Sequence, residues 1–406
     1  MKPANKLRYY HWRGINPAGR KVSGVIIGFQ EQEIRSKLTE QRIQIKKIKR
    51  RKPSTFSKLR NQMSSGDITE TTRQLATMIE SGVPVVQSFK LISQSHHKSE
   101  VRAVLSQVTT QVEAGSSLAK ALKTSSPLFD TFFCDLVETG EQTGHLGEVF
   151  SRIATYREKS ESTRKKVIKA MIYPAMVTFT AVLVTIMMLV FVIPQFASIF
   201  SSFGAELPWF TRQVIKASDF LTNDGGYLAI ALTALLLLYR SCYKKFYRLR
   251  LASNRLTLKL PILGKVLLKA TIARFARTLA TTFSAGIPLL TGLQSAGKTT
   301  GNLHIQQAIH EAYTSTAAGM PLYLSLRQCN VFPELMLQMT MIGEESGALD
   351  DMLNKMALLY EDDVDNTVDN LGKILEPLII LILGGLIGSL LVAMYMPIFT
   401  LMSVIG

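Results

Sequence analysis

Apolar positions along the chain follow two periods. Val101, Val104, Leu105, Val108 and Val112 stand at i, i+3, i+4, i+7 and i+11, the spacing of one buried stripe on an amphipathic helix. Ile68, Leu75, Ala76 and Ile79 predict another helix with a similar face, ended by Gly82 and Pro84. The first stripe is written again 204 positions later, with Ile305, Ala308, Ile309, Ala312 and Thr316 at the same offsets. Before residue 50 the pattern differs. YYHWR at 9–13, the turn INPAGR, KVSGVII, a helix from about Glu31 to Gln41, and IQIKKI predict a small ββαβ module.

Turn signals repeat with the stripes. SGVP at 81–84 answers AGIP at 285–288, and EAGSSL at 113–118 answers AAGMPL at 317–322. GEQTGHL at 140–146 answers GEESGAL at 343–349, now offset by 203. Tyr173-Pro174 answers Glu376-Pro377. The chain therefore carries a duplication, each copy predicted to be a helical bundle that feeds an apolar helix.

Two blocks lack any charge: 36 positions from Ala170 to Ala205, and 30 from Pro377 to Gly406. A helix of about 20 apolar residues crosses a bilayer, so a fully soluble globule is excluded. A third stretch, Gly225 to Tyr239, holds 15 uncharged residues and reaches spanning length if Asp224 and Arg240 extend to the interfaces. The predicted organisation is a basic module (1–50), a linker (51–66), a first bundle (67–170) and a first span (171–197). A loop (198–219), a second span (220–240), a second bundle (241–373), a third span (374–400) and a tail (401–406) follow. Gly384-x-x-x-Gly388 in the third span has the spacing that lets two helices approach closely, within this chain or between copies.

Charge sets the direction of crossing. The chain has 47 Lys/Arg against 30 Asp/Glu, a net +17, and residues 1–66 hold 17 of the basic residues against three acids. Arg164, Lys165, Lys166 and Lys169 precede the first span, while Arg240, Lys244, Lys245, Arg248 and Arg250 follow the second. The loop between carries Arg212 and Lys216, offset by Glu206, Asp219 and Asp224. The N-terminus and both bundles are therefore expected on the cytoplasmic side, with the loop containing Trp209 and the C-terminal tail across the membrane. The basic N-terminus lacks an apolar core segment, so no signal peptide is expected.

Candidate chemistry is sparse. Gly292 to Thr299 reads GxxxxGK[ST], which in a P-loop would place Lys298 on a phosphate. The preceding segment duplicates a helical one and no buried strand leads into it, so Gly297 is expected to stop a helix instead. Gly140, Glu141 and Gly144, matched by Gly343, Glu344 and Gly347, are candidates for a structural helix–helix turn or a partner interface. Thr143 or Ser346 could cap the following helix, and the carboxylates could face a helix N-terminus or a basic groove. Glu361, Asp362, Asp363, Asp365 and Asp369 predict a solvated acidic helix face and lack the glycine and terminal glutamate of a calcium loop. Cys134, Cys242 and Cys329 and the six histidines show no metal-ligand spacing. No catalytic residue, metal ligand or cofactor site is expected, nor is nucleic acid as a partner of the basic stretch. A transporter would need charges buried in its spans, and the spans show none.

Lys166-Val167-x-x-Ala170-Met171-x-Tyr173-Pro174, then Val177, Ala181, Met188 and Val192-Ile193-Pro194, resemble the entry to the first span in the type II secretion F / type IV pilus C family of inner-membrane platform proteins. With the duplication and the two GExxG turns, the resemblance runs from about Tyr9 to Thr400. It implies an all-α membrane protein with two duplicated cytoplasmic helical bundles, three transmembrane helices and a multi-pass place in a bacterial inner membrane, the loop and tail being periplasmic. It implies a non-enzymatic role in type IV pilus assembly, coupling a cytoplasmic hexameric ATPase to pilin extraction, or the equivalent with a pseudopilin in type II secretion. Further implied partners are other inner-membrane assembly proteins and a second copy of the chain. Tyr173, Pro174, Glu376 and Pro377 would be the bundle-to-membrane joints. Acidic calcium ligands of some secretion-branch members fall here on His97, Ser151 and Thr155, which favours the pilus branch and no calcium.

Overall fold

A computed structural model describes residues 8–17, 19–28, 31–40, 42–50, 61–202, 208–260 and 263–405. Most of the expected linker lies outside them. Strands β1 (Arg8–Ile15), β2 (Lys21–Gly28) and β3 (Gln44–Arg50) form an antiparallel sheet in the order β2-β1-β3, with α1 (Glu31–Glu40) inserted before β3. Tyr10, Ile34 and Leu38 are buried between helix and sheet, with Ile26, Ile45 and Ile48 packed against them. That is the expected ββαβ module. The rest of the described chain consists of helices and the turns between them.

The first copy comprises α2 (Ser65–Glu80), α3 (Val85–Ser95), α4 (Ser99–Glu113), α5 (Leu118–Ser125), α6 (Thr131–Thr143) and the long α7 (Leu146–Met187). A five-residue π-turn (Met188–Val192) leads into α8 (Ile193–Ser202), then α9 (Trp209–Lys245) and α10 (Tyr247–Leu258). The second copy repeats the series as α11 (Leu263–Ser284), α12 (Leu289–Thr299), α13 (Leu303–Ala317), α14 (Leu322–Gln328), α15 (Glu334–Ser346) and α16 (Leu349–Ile405). The repeat extends to backbone conformation. Gly82 and Gly286, Gly115 and Gly319, Gly144 and Gly347 all have positive φ, between 72° and 95°, so these helices of one copy end by the same left-handed turn as their counterparts.

The chain divides into two compact units. The first holds Met1–Ser162, Thr271–Gly301 and Ile305–Leu359. Its core gathers Leu75, Phe89, Leu105, Leu122, Phe133 and Phe150, and Phe150 meets the edges of Phe89 and Phe133 with ring centres 6.4 and 6.3 Å away. The predicted stripes are buried at Val101, Val104, Leu105 and Val108, and at Ile305, Ala308, Ile309 and Ala312, while Val112 and Thr316 remain half-buried. Each fully buried Leu or Phe contributes about 1.5–3 kcal/mol.

The second unit holds Thr163–Ala270, Asn302–His304 and Tyr360–Gly406. Among the described residues three helices are long and apolar enough to cross a membrane: Leu146–Phe196, Trp209–Tyr243 and Leu349–Pro397. Large apolar side chains there are open, Phe179 69% exposed and Leu381 72%, as a surface bathed in lipid would be. Residues 209–219, expected within the loop, form the first turns of α9, so the second helix is longer than its uncharged centre. Pro174 and Pro377 lie inside α7 and α16. The π-turn disturbs the carbonyl ladder, and Ser218 donates its hydroxyl to the Leu189 carbonyl within it. Thr211 donates likewise to the Ala393 carbonyl at 2.8 Å.

An ionic latch closes the start of the first copy. Ser64 and Asp67 form a reciprocal capping box on α2. Lys98 reaches Asp67 Oδ2 at 2.7 Å, and both groups are largely shielded. Burial works to raise the Asp67 carboxyl, but hydrogen bonds from Lys98 and Ser64 outweigh it and hold the carboxyl below its ordinary range. Beside it, His96 is 7% exposed, stacks on His97 at 4.6 Å and accepts from the Lys98 backbone at Nδ1. Burial, then the neighbouring His97, lowers its pKa. A depressed histidine favours the fold above its ordinary value of 6.5 and loses that stabilisation as pH falls below it; a depressed carboxylate loses its share at lower pH. Thermal unfolding of the full chain in detergent is expected to show two acid-side losses of stability, the first removed by His96→Gln and the second reduced in Asp67→Asn.

Candidate functional site

The two GExxG corners have one construction. In the first copy Gly140 sits where α6 passes the start of α7, and an added Cβ would meet Val149 Cγ2 at 2.8 Å. One residue on, Glu141 accepts from the backbone N–H of Leu118 at 2.8 Å and of Ala119 at 3.4 Å. The carboxylate therefore stands at the exposed N–H groups that open α5, where Ser117 makes no side-chain cap. Gly144 ends α6 at φ 78°. The second copy repeats each part. Glu344 accepts from Leu322 and Tyr323 at 2.6 and 2.9 Å, capping α14 behind Pro321. Gly343 lies against Leu349, whose α-carbon would be 2.9 Å from an added Cβ, and Gly347 turns the chain at φ 72°. Thr143 and Ser346 cap nothing beyond their own helices: their hydroxyls donate to the Thr139 and Ile342 carbonyls.

Within the first unit the two copies touch. Ser295 on α12 donates to Asp135 on α6 at 2.6 Å, and Thr278 on α11 donates to the Tyr156 hydroxyl at 3.5 Å. Burial pushes the Tyr156 phenol above its ordinary range. Ile287, in the turn after α11, belongs to the first copy's core, with Ala285 packed against it. The contact is one-sided. Position 91, which matches Ser295 at the 204 offset, is a leucine left 43% exposed.

Gly292 to Thr299 lies within α12. Its backbone N–H groups point along a helix rather than around a phosphate, so the pattern builds no P-loop here. Gly297 does not stop the helix either. It is buried, with room for an added Cβ limited by Ile309 Cγ2 at 3.1 Å, and the left-handed turn falls at Gly301. Glycine serves close helix packing at that point.

The acidic run lies on α16 and is less solvated than expected. Asp365 pairs with Lys166 of α7 at 2.7 Å, its side chain 18% exposed, and Asp363 pairs with Lys269 of α11 at 2.9 Å. Beneath these pairs Val266, Val364, Val368 and Leu371 are buried, with Val167 and Ala170 against them. Three helices thus converge immediately before the apolar blocks. Tyr173 is 56% exposed one turn further on, and Glu376 also faces out. Added Cβ atoms at Gly384 and Gly388 would meet nothing within 4 Å, so the GxxxG face is not used by the chain's own described helices.

Of the remaining candidates, Thr155 accepts from Arg73 at 2.9 Å and Cys134 is buried, its thiol pushed up to about 12 by burial. Among the described residues no cluster of three or more His, Cys, Asp or Glu could hold a metal ion. Sequence reasoning missed Asp135, Ser295 and Tyr156, because single polar residues on amphipathic helices carry no pattern. The matched but unequal residues at equivalent positions were the available signal.

The family described as "Type II secretion system (T2SS), protein F" matches residues 71–194 and 275–397, the two copies with their apolar helices. The type IV pilus assembly protein TapC of Aeromonas hydrophila is 43% identical over 402 residues, 99% of this chain and 97% of that one. The type IV pilus assembly protein PilC of Pseudomonas aeruginosa is 44% identical over 84% of this chain and 91% of its own length. The type II secretion system protein F of Vibrio cholerae is 32% identical over 96% of this chain and 97% of its own length.

The corners make differential predictions. Gly343→Ala is expected to destabilise more than Gly140→Ala, since its nearest neighbour is the Leu349 backbone, whereas at Gly140 the nearest atom is a side-chain methyl of Val149; overpacking of this kind costs about 1–3 kcal/mol. Glu141→Ala and Glu344→Ala, each removing a helix cap, are expected to cost about 0.5–2 kcal/mol. Denaturant unfolding of the detergent-solubilised chain measures all four.

Proposed function

The chain belongs to the type II secretion system protein F family, and on that premise we propose that it is the inner-membrane platform protein of a type IV pilus assembly machine. Its helical copies face the cytoplasm and take up the motion of a hexameric assembly ATPase. The three spans pass that motion to pilin subunits held in the bilayer. The observation that carries the reading is the near end-to-end similarity to relatives named for type IV pilus assembly, closer than that to the secretion relative.

The architecture supports a mechanical role. Helices α7 and α16 each continue from a bundle into an apolar span with no break at Pro174 or Pro377. The latter lies just after Glu376, and the Lys166–Asp365 and Lys269–Asp363 pairs tie the helices together before they enter lipid. Tyr173-Pro174 and Glu376-Pro377 are the joints at which bundle motion becomes span motion. Self-association fits the one-sided contact between copies, which leaves Leu91 of the first and Leu335 and Ile342 of the second exposed, two faces suited to a second chain. Gly384 and Gly388 offer a close-approach face in the same assembly. The second reading, a platform for pseudopilus assembly in type II secretion, is favoured by the secretion relative's near-complete coverage.

Deletion of the gene in its own host separates the readings. Loss of surface pili with unchanged protein secretion, restored by wild type and equally by Lys298→Ala, is the expected result. Intact pili with lost secretion would select the second reading, and no change in either would overturn both.

A further inference from the structure

The sheet of the N-terminal module has two faces of opposite character. One is closed by α1 and its apolar residues. On the other, strand register sets basic side chains side by side: Arg13 stands opposite Lys47 and His11 opposite Lys49, with Ser23 beside Arg13 and Lys21 beside Ile15 on β2. The basic side chains and Ser23 are all exposed, and most of them border a cleft of about 560 Å³. Like charges directly opposite on neighbouring strands destabilise a sheet. The module's three acids, Glu31, Glu33 and Glu40, belong to α1 rather than to the strands, and Glu31 already pairs with Arg35 at 2.7 Å. Glu100, whose charge is felt at Tyr9 at the far end of β1, accepts from the Met63 backbone.

We propose that this open sheet face docks on the anionic phospholipid headgroups of the bilayer that the chain itself spans. The juxtaposition selects a lipid surface over a protein. A protein interface has an apolar core depleted in charge, anchored by aromatic side chains in dry pockets. Within residues 8–50 no large apolar side chain is exposed among the described residues; Trp12, which also lines the cleft, is half-buried and packed against the module's own core. What the face offers is a grid of cations, with strands about 4.8 Å apart and alternate residues about 6.7 Å apart, matched to many equivalent phosphates rather than to one shape. Tethering to membrane-spanning helices raises the effective concentration of that surface. The inference rests on those helices lying in a bilayer, and it requires nothing of pilus assembly.

The test uses the full chain in nanodiscs of phosphatidylcholine alone or of an equal mixture with phosphatidylglycerol. Hydrogen exchange is followed in peptides covering Arg8–Ile15 and Gln44–Arg50. Each cation near an anionic surface is worth about fivefold in affinity, so exchange in the mixed discs is expected to slow by about fivefold or more. The slowing should vanish at high salt and in the triple variant R13Q/K47Q/K49Q, whose uncharged side chains keep the sheet. Unchanged exchange of Glu31–Glu40, the helix packed on the same sheet, in phosphatidylcholine discs confirms that the variant's module is folded. Equal exchange in the two discs overturns the proposal, as does slowing that persists in the triple variant. Protection by poly-glutamate or by duplex DNA with none from phosphatidylglycerol also overturns it, assigning the face to an acidic protein or to nucleic acid. Pili counted in cells carrying R13Q/K47Q/K49Q report separately on the platform reading.

Discussion

In each copy one carboxylate reaches across a helix pair to close the N-terminus of a short helix, beside the corner that joins the last two helices of the copy. Leu118 and Leu322 open helices whose preceding residues, Ser117 and Pro321, give no side-chain cap. Without Glu141 and Glu344, polar N–H groups would be left beside a packed core, a cost that a remote acceptor removes. The same short stretch brings α6 against α7, and α15 against α16, through a glycine with no space for a Cβ. It then reverses the chain through a left-handed glycine. Cap, close approach and turn lie within one turn of helix and its end, which is why the stretch recurs with so little change while its surroundings diverge.

Divergence between the copies is where specificity arises. Two equal bundles would pair symmetrically, but here α6 of the first meets α12 of the second through Asp135 and Ser295, while the equivalent Leu91 is left open. A polar pair replaces an apolar contact on one side only. The arrangement joins the copies within one chain without using up the corresponding faces, a heterologous geometry that leaves surface for further contacts.

The apolar helices follow different rules from the bundles. Lipid supplies no hydrophobic drive between helices, so hydroxyl-to-carbonyl bonds take on that role. Ser218 to Leu189 and Thr211 to Ala393 are such bonds. Charge is confined to the ends of the apolar blocks, where Lys166 and Lys269 meet the acids of α16. Apolar packing and ion pairing thus change over within a few turns, marking the level at which the helices pass from bundle to span.

Periodicity determined the helical bundles and the ββαβ module, because burial of one face leaves a repeating trace in any amphipathic element; matched stripes and turns gave the duplication, and long charge-free runs gave the three apolar helices. Composition and spacing also marked Gly140, Glu141, Gly144 and their partners as corners. Only the tertiary structure decided what the corner glutamates hold, since a carboxylate's partner 21 to 23 residues away leaves no period to read. It turned Gly297 from a helix stop into a packing glycine, carried α9 back to Trp209, paired Asp363 and Asp365 with lysines of other helices, and drew Asp365 largely out of the solvent. Those outcomes depend on which surfaces meet, and that is settled by the summed packing of distant segments rather than by any local pattern.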